Sequence, residues 1–134
     1  MNSKALICVV CLLVASVGMA QTMPPPITQE QLIALQAQPD AAPLVLDVRS
    51  PEEFATGHVP GAVNIPYDKV ASRLAEIPKD KDVVLYCRSG RRAGLAAETL
   101  EANGYTRLQH LQGDMEAWVK DGRPVEGAAQ KPTG

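Results

Sequence analysis

The sequence predicts an α/β domain with a mainly parallel central sheet and helices on both faces. Three observations carry this expectation. Short apolar runs of strand length, such as Leu44 to Val48 and Val83 to Tyr86, alternate with helix-period segments. Two of those segments open on a capping box, which marks where each helix begins. The repeated strand–turn–helix order implies right-handed crossovers between parallel strands covered on both faces.

The chain has 134 residues, the length of one domain. It divides into a signal peptide over 1–20, a linker over 21–26, the folded domain over 27–126 and a flexible tail over 127–134. Lys4 is a basic start, and Ala5 to Val17 is apolar except for Ser16. Gly18-Met19-Ala20 then places small residues where a signal peptidase reads them. The apolar run is shorter than the ~20 residues of a membrane span. No stable membrane insertion is therefore expected after cleavage, and a periplasmic or secreted protein is.

Cleavage after Ala20 removes Cys8 and Cys11 and leaves Cys87 alone among the three cysteines. An exported chain with one thiol forms no internal disulfide. Such a thiol is either buried and inert or kept for chemistry. At 46% hydrophobic residues the chain is globular in composition. Its formal charge of -2 gives no general attraction for nucleic acid.

Pro24-Pro25-Pro26 favours an extended linker. Thr28 to Gln31 reads as a capping box, with Ile27 and Leu32 placed as a hydrophobic staple, and the helix runs to about Ala37. Leu44 to Val48 is a strand. Ser50-Pro51-Glu52-Glu53 starts a second, short helix that Gly57 stops. Gly57 to Gly61 is a turn, and Ala62 to Ile65 a short strand ended by Pro66. Val70, Leu74 and Ile77 lie at i, i+4 and i+7, the face of a third helix.

Val83 to Tyr86 is the clearest strand, and Cys87 ends it. A helix follows Arg92, with Ala93, Ala96, Ala97 and Leu100 on its inner face and Asn103-Gly104 as its stop. Arg107 to Leu111 is the last strand. Asp114 caps a final helix whose inner face carries Met115, Trp118 and Val119. His58 in its turn and Trp118 read as structural, and His110 carries no signal.

The chemistry gathers at Cys87-Arg88-Ser89-Gly90-Arg91-Arg92. This segment joins a buried strand to a helix N-terminus, the end at which α/β folds bind ligands. The first helical N–H groups lack intrahelical partners, and the helix dipole places positive potential there. A tight loop containing Gly90 can turn successive N–H groups inward as an anion nest. Arg88, Arg91 and Arg92 add formal charge. Each effect favours thiolate over thiol.

Three loop chemistries compete. A thiol–disulfide oxidoreductase needs a second cysteine three residues on, where Gly90 stands. A cysteine phosphatase or arsenate reductase usually places five residues between Cys and Arg, but position 93 is Ala93. The loop here is a residue tighter, which suits one extra sulfur atom on Cys87.

These segments carry a family resemblance. Leu46 to Phe54 and Gly57 to Pro66 resemble the N-terminal signature of single-domain rhodanese-family sulfurtransferases. Tyr86 to Ala93 resembles the family's six-residue active-site loop. Leu111 to Trp118, followed by Gly122 to Val125, resembles its C-terminal signature. One departure is that Gly113-Asp114 stands where that signature usually has two glycines. Aspartate tolerates left-handed geometry, and the change is expected to fall at the rim of the site.

The resemblance implies a rhodanese-like three-layer domain and a double displacement through a persulfide on Cys87. Arg88, Ser89, Gly90, Arg91 and Arg92 form the anion cradle. The implied donor is a small anion, thiosulfate, and the acceptor a thiophile, cyanide in assay or a protein. No metal or organic cofactor is implied. Asp47 and Arg49 join a buried polar network that orders the loops. A second expectation is a periplasmic persulfide carrier or sulfur-binding module serving a partner enzyme.

Overall fold

The computed structural model describes residues 23–127. The expected signal peptide and most of the expected tail lie outside the described residues. Five strands form one sheet: β1 (Pro26–Ile27), β2 (Leu44–Asp47), β3 (Val63–Asn64), β4 (Val83–Tyr86) and β5 (Leu108–Leu111). Their order is β1-β5-β4-β2-β3, and every neighbouring pair is parallel. Among the described residues four α-helices accompany them: α1 (Gln29–Gln36), α2 (Pro51–Thr56), α3 (Arg91–Ala102) and α4 (Asp114–Lys120).

Residue alternation along β4 builds two cores, because successive strand side chains point to opposite faces. Val83, Leu85 and Cys87 face a cluster with Leu46, Val70, Ala93, Ala97 and Leu100. Val84 and Tyr86 face the other, with Ile27, Leu32, Val45, Met115 and Trp118. The small Ala93, Ala96 and Ala97 of α3 are buried on the inner face expected of them.

Both capping boxes form. The Thr28 hydroxyl accepts the Gln31 N–H at 3.1 Å, and Gln31 Oε1 accepts the Thr28 N–H at 3.0 Å. Ser50 Oγ likewise accepts the Glu53 N–H at 3.2 Å, and Pro51 opens α2. Each box satisfies amides that would otherwise lack partners at a helix start.

The structure departs from expectation in five places. The sheet begins at Pro26, one residue before the expected domain start, because Pro26 and Ile27 pair along β5 as an edge strand. An edge suits proline, which has no N–H to donate. The predicted third helix is two 3₁₀ turns, Tyr67–Ser72 and Leu74–Glu76. Val70 and Ile77 are buried as their spacing requires. Pro66 and Pro78 bracket the segment, however, and its bonds close three residues back, as in Arg73 N–H to Val70 O and Ile77 N–H to Leu74 O.

Helix α3 starts at Arg91, so Arg91 and Arg92 belong to its first turn and not to the loop before it. Val119 is 60% exposed, because the inner face of α4 is narrow and is filled by Met115 and Trp118. Asp114 does not cap α4. Gly113 holds that position, and Asp114 is the first helical residue, with a left-handed φ of 54°.

Candidate active site

The loop after β4 holds Arg88, Ser89 and Gly90 between Cys87 and the first turn of α3. Gly90 stands at the N-cap of α3 with φ 113°, a conformation that costs other residues strain. That turn brings the Gly90 N–H to 2.9 Å from Cys87 Sγ, to which it donates. The thiol thus sits at the positive end of α3 with a backbone donor aimed at the sulfur. Cys87 is 1% exposed, the one free cysteine among the described residues.

The six residues singled out in the sequence adjoin one another, but their side chains do not converge. Arg92 donates to Glu53 through Nη1 at 2.6 Å and Nη2 at 3.0 Å. Its charge is committed to α2, and the pair raises the Arg92 guanidinium and lowers the Glu53 carboxyl. Arg88 is largely exposed and lies 3.4 Å from Glu116 of α4. Ser89 and Arg91 are exposed. The contact with sulfur therefore comes from the backbone of the loop, with formal positive charge around it.

Beside the loop an open cavity of about 470 Å³ is bounded by Arg49, Glu53, Arg88, Met115 and Val119, among others. It shares Arg88 with the loop and mixes cationic, acidic and apolar groups.

Behind the site lies the polar network around Asp47, which is fully buried. Its carboxylate accepts Arg49 Nε at 3.0 Å and Arg49 Nη2 at 2.7 Å, and it also accepts the Tyr86 hydroxyl at 2.7 Å. Arg49 Nη2 also donates to Gly57 O at 2.8 Å, and Tyr86 Oη accepts the Val59 N–H at 3.1 Å. The network ties β2 and β4 to the turn after α2. Burial pushes the Tyr86 phenol well above its ordinary value, and the Asp47 charge adds to the effect. Burial opposes the Arg49 charge, but Asp47 outweighs it and the guanidinium is raised.

Under the loop lie His110, which sequence reasoning missed, and Asp114, which it placed at the rim. Asp114 is 2% exposed, and its Oδ1 accepts the Cys87 N–H at 3.0 Å. His110 Nε2 lies 2.9 Å from Oδ1 and 3.0 Å from Oδ2 of the same carboxylate. Asp114 therefore belongs to the floor of the site and not its rim. The signal present in the sequence was its departure from the usual glycine pair; His110, four residues earlier, had none. Among the described residues no group of three or more His, Cys, Asp or Glu is placed to hold a metal ion.

A parallel sheet carrying a cysteine in a tight loop at a helix start, with a backbone N–H on its sulfur, defines a class. Residues 28–121 match the rhodanese-like domain, and the chain belongs to that family. Its relatives include a sulfurtransferase of Allochromatium vinosum, 44% identical over 82 residues, which span 61% of this chain and 77% of that protein. Thiosulfate sulfurtransferase PspE of Escherichia coli is 43% identical over 70 residues, 51% of this chain and 67% of its own. Among solved structures, a rhodanese-related protein from Thermoplasma volcanium is similar with a TM-score of 0.67 at 27% identity. That match covers 77% of this chain and 98% of the other.

Proposed function

We propose that this chain is a thiosulfate sulfurtransferase working through a persulfide on Cys87. The observation that carries this reading is the Gly90 N–H donating to Cys87 Sγ at 2.9 Å, at the N-terminus of α3. That donor and the positive end of the helix dipole both face the sulfur. The Cys87 thiolate attacks the outer sulfur of thiosulfate. The sulfur–sulfur bond breaks, and sulfite leaves with its electron pair. The loop amides then face the terminal sulfur of the persulfide. An acceptor nucleophile, cyanide or a thiolate, bonds to that sulfur and returns Cys87 to its thiolate. This is covalent catalysis in two half-reactions.

Arg88, Ser89, Gly90, Arg91 and Arg92 form the wall of the anion site in this reading. The tightness of the loop supports a single sulfur over a tetrahedral oxyanion, since α3 already begins at Arg91. Arg88 suits the sulfonate end of the donor, and the adjoining cavity gives a larger thiol or protein acceptor room to approach. The domain over 27–126 acts after export, with the leader over 1–20 removed. An N-terminal read of native protein is expected to begin at Gln21; a read beginning at Met1 removes the export assignment.

The deciding experiment is the intact mass of the protein before and after thiosulfate. The mass is expected to rise by one sulfur atom, to return with cyanide, and to stay unchanged in Cys87→Ser. A wild-type protein that gains no mass overturns the reading.

A further inference from the structure

The residue bearing the candidate nucleophile is clamped through its backbone by the first turn of α4. Oδ1 of Asp114 accepts the Cys87 N–H at 3.0 Å, and the Met115 N–H donates to Cys87 O, also at 3.0 Å. The Glu116 N–H bonds Arg88 O at 3.2 Å in the same way. Asp114 Oδ2 lies under Gly90, where an added Cβ would come within 3.3 Å of it. His110 holds the carboxylate from β5 through Nε2, and its side chain is only 15% exposed.

The backbone at position 114 does not need a carboxylate. Its φ of 54° is the left-handed region, which glycine and asparagine enter readily. What the carboxylate adds is an acceptor for one particular amide, and that amide belongs to Cys87. A cysteine side chain has one torsion between its backbone and its sulfur. Once both polar groups of Cys87 are held, that torsion alone decides whether Sγ meets the Gly90 N–H.

We propose that Asp114 is a positioning residue for the sulfur nucleophile, with His110 orienting its carboxylate. Asp114 acts through the Cys87 amide and keeps Sγ on the loop donor before sulfur is taken up. The proposal rests on the reading of Cys87 as the sulfur carrier. The carboxylate's charge by itself opposes a thiolate, so charge and hydrogen bond must be separated by experiment.

Two neutral substitutions separate them. Asp114→Asn keeps Oδ1 as acceptor and offers Nδ2 to His110, whereas Asp114→Gly offers neither. Both suit the left-handed backbone. Each full-length variant is assayed for alkylation of Cys87 by iodoacetamide and for single-turnover persulfide formation from thiosulfate. The asparagine variant is expected to react about five- to tenfold faster than the glycine variant in both assays, the worth of one hydrogen bond. The thiosulfate KM is expected to agree within about twofold between them, because the donor's charge is met elsewhere.

Equal alkylation rates for the two variants overturn the proposal. Should the glycine variant fail to fold, His110→Ala decides: alkylation about two- to threefold slower than wild type supports the pair, and a wild-type rate overturns it. A wild-type protein that gains no sulfur from thiosulfate removes the thiosulfate reading, while the alkylation series still decides the role of Asp114.

Discussion

Arg92 and Glu53 meet as a two-pronged ion pair, Nη1 to Oε1 at 2.6 Å and Nη2 to Oε2 at 3.0 Å, and so bolt the first turn of α3 to α2. Glu53 also accepts the Ser50 N–H, so one carboxylate serves the cap of α2 and the wall of the cavity beside the loop.

Acid should loosen this bolt in a defined window. The Arg92 hydrogen bonds hold the Glu53 carboxyl at about 2, against an ordinary 4.5. A folded-state value below the unfolded one stabilises the fold in full above pH 4.5, and that contribution is lost as pH falls toward 2. Glu53→Gln retains the cap but not the charge. Urea titration is expected to show it less stable than wild type by roughly 1 kcal/mol at pH 7, the modest value of a solvent-screened pair. The difference should shrink at pH 3, and a constant difference would count against the linkage.

Cys87→Ser is expected to abolish sulfur transfer and leave the melting temperature within a few degrees of wild type. The hydroxyl is nearly isosteric and can still accept the Gly90 N–H, but it is a poor nucleophile toward sulfur. Steady-state cyanolysis and a thermal melt on the same preparation check both halves. Residual turnover above a trace would point away from Cys87.

The arginines should differ. Arg88 is exposed and paired only at the surface with Glu116, so Arg88→Ala is expected to leave stability unchanged and lower kcat/KM for thiosulfate about tenfold. The loss should diminish in high salt, which screens an exposed charge. Arg92→Ala should instead destabilise the fold, since it leaves Glu53 without its partner. Kinetics at two ionic strengths, with melts alongside, separate these outcomes; identical behaviour of the two variants would contradict the geometry.

Breaking the Asp47 network should be costly out of proportion to the atoms removed. Arg49→Met leaves the Asp47 carboxylate buried without its charged partner, a loss of about 3–5 kcal/mol. Tyr86→Phe removes the donor to Asp47 and the acceptor for the Val59 N–H, and is expected to cost about 1–3 kcal/mol. Denaturant midpoints rank the two. A Tyr86→Phe protein as stable as wild type would show that water substitutes for the phenol.

Much of this fold is written locally. Thr28 and Ser50 announce α1 and α2 because a capping box is built from residues three apart. Val83 to Tyr86 announces β4 because a strand buried on both faces must be apolar throughout. Apolar spacing alone did not distinguish i→i+3 from i→i+4 bonding, and so Val70 and Ile77 suggested an α-helix where 3₁₀ turns stand. The loop was readable around Cys87, but the partners of its groups were not. Arg92 finds Glu53, and the Cys87 amide finds Asp114, across long stretches of chain. No local rule relates such positions; the sheet order brings them together.

The central seat of β4 also bears on how the molecule breathes. Segments of a fold open separately, and edges open at far lower cost than the middle of a sheet. Here β4 is bonded on one side to β2 and on the other to β5, while β1 and β3 form the margins. Cys87 follows directly on the central strand, whose amide hydrogens are expected to exchange later than those of β1 and β3. Fraying of β1 or β3 is expected to leave the Cys87 backbone bonded to α4.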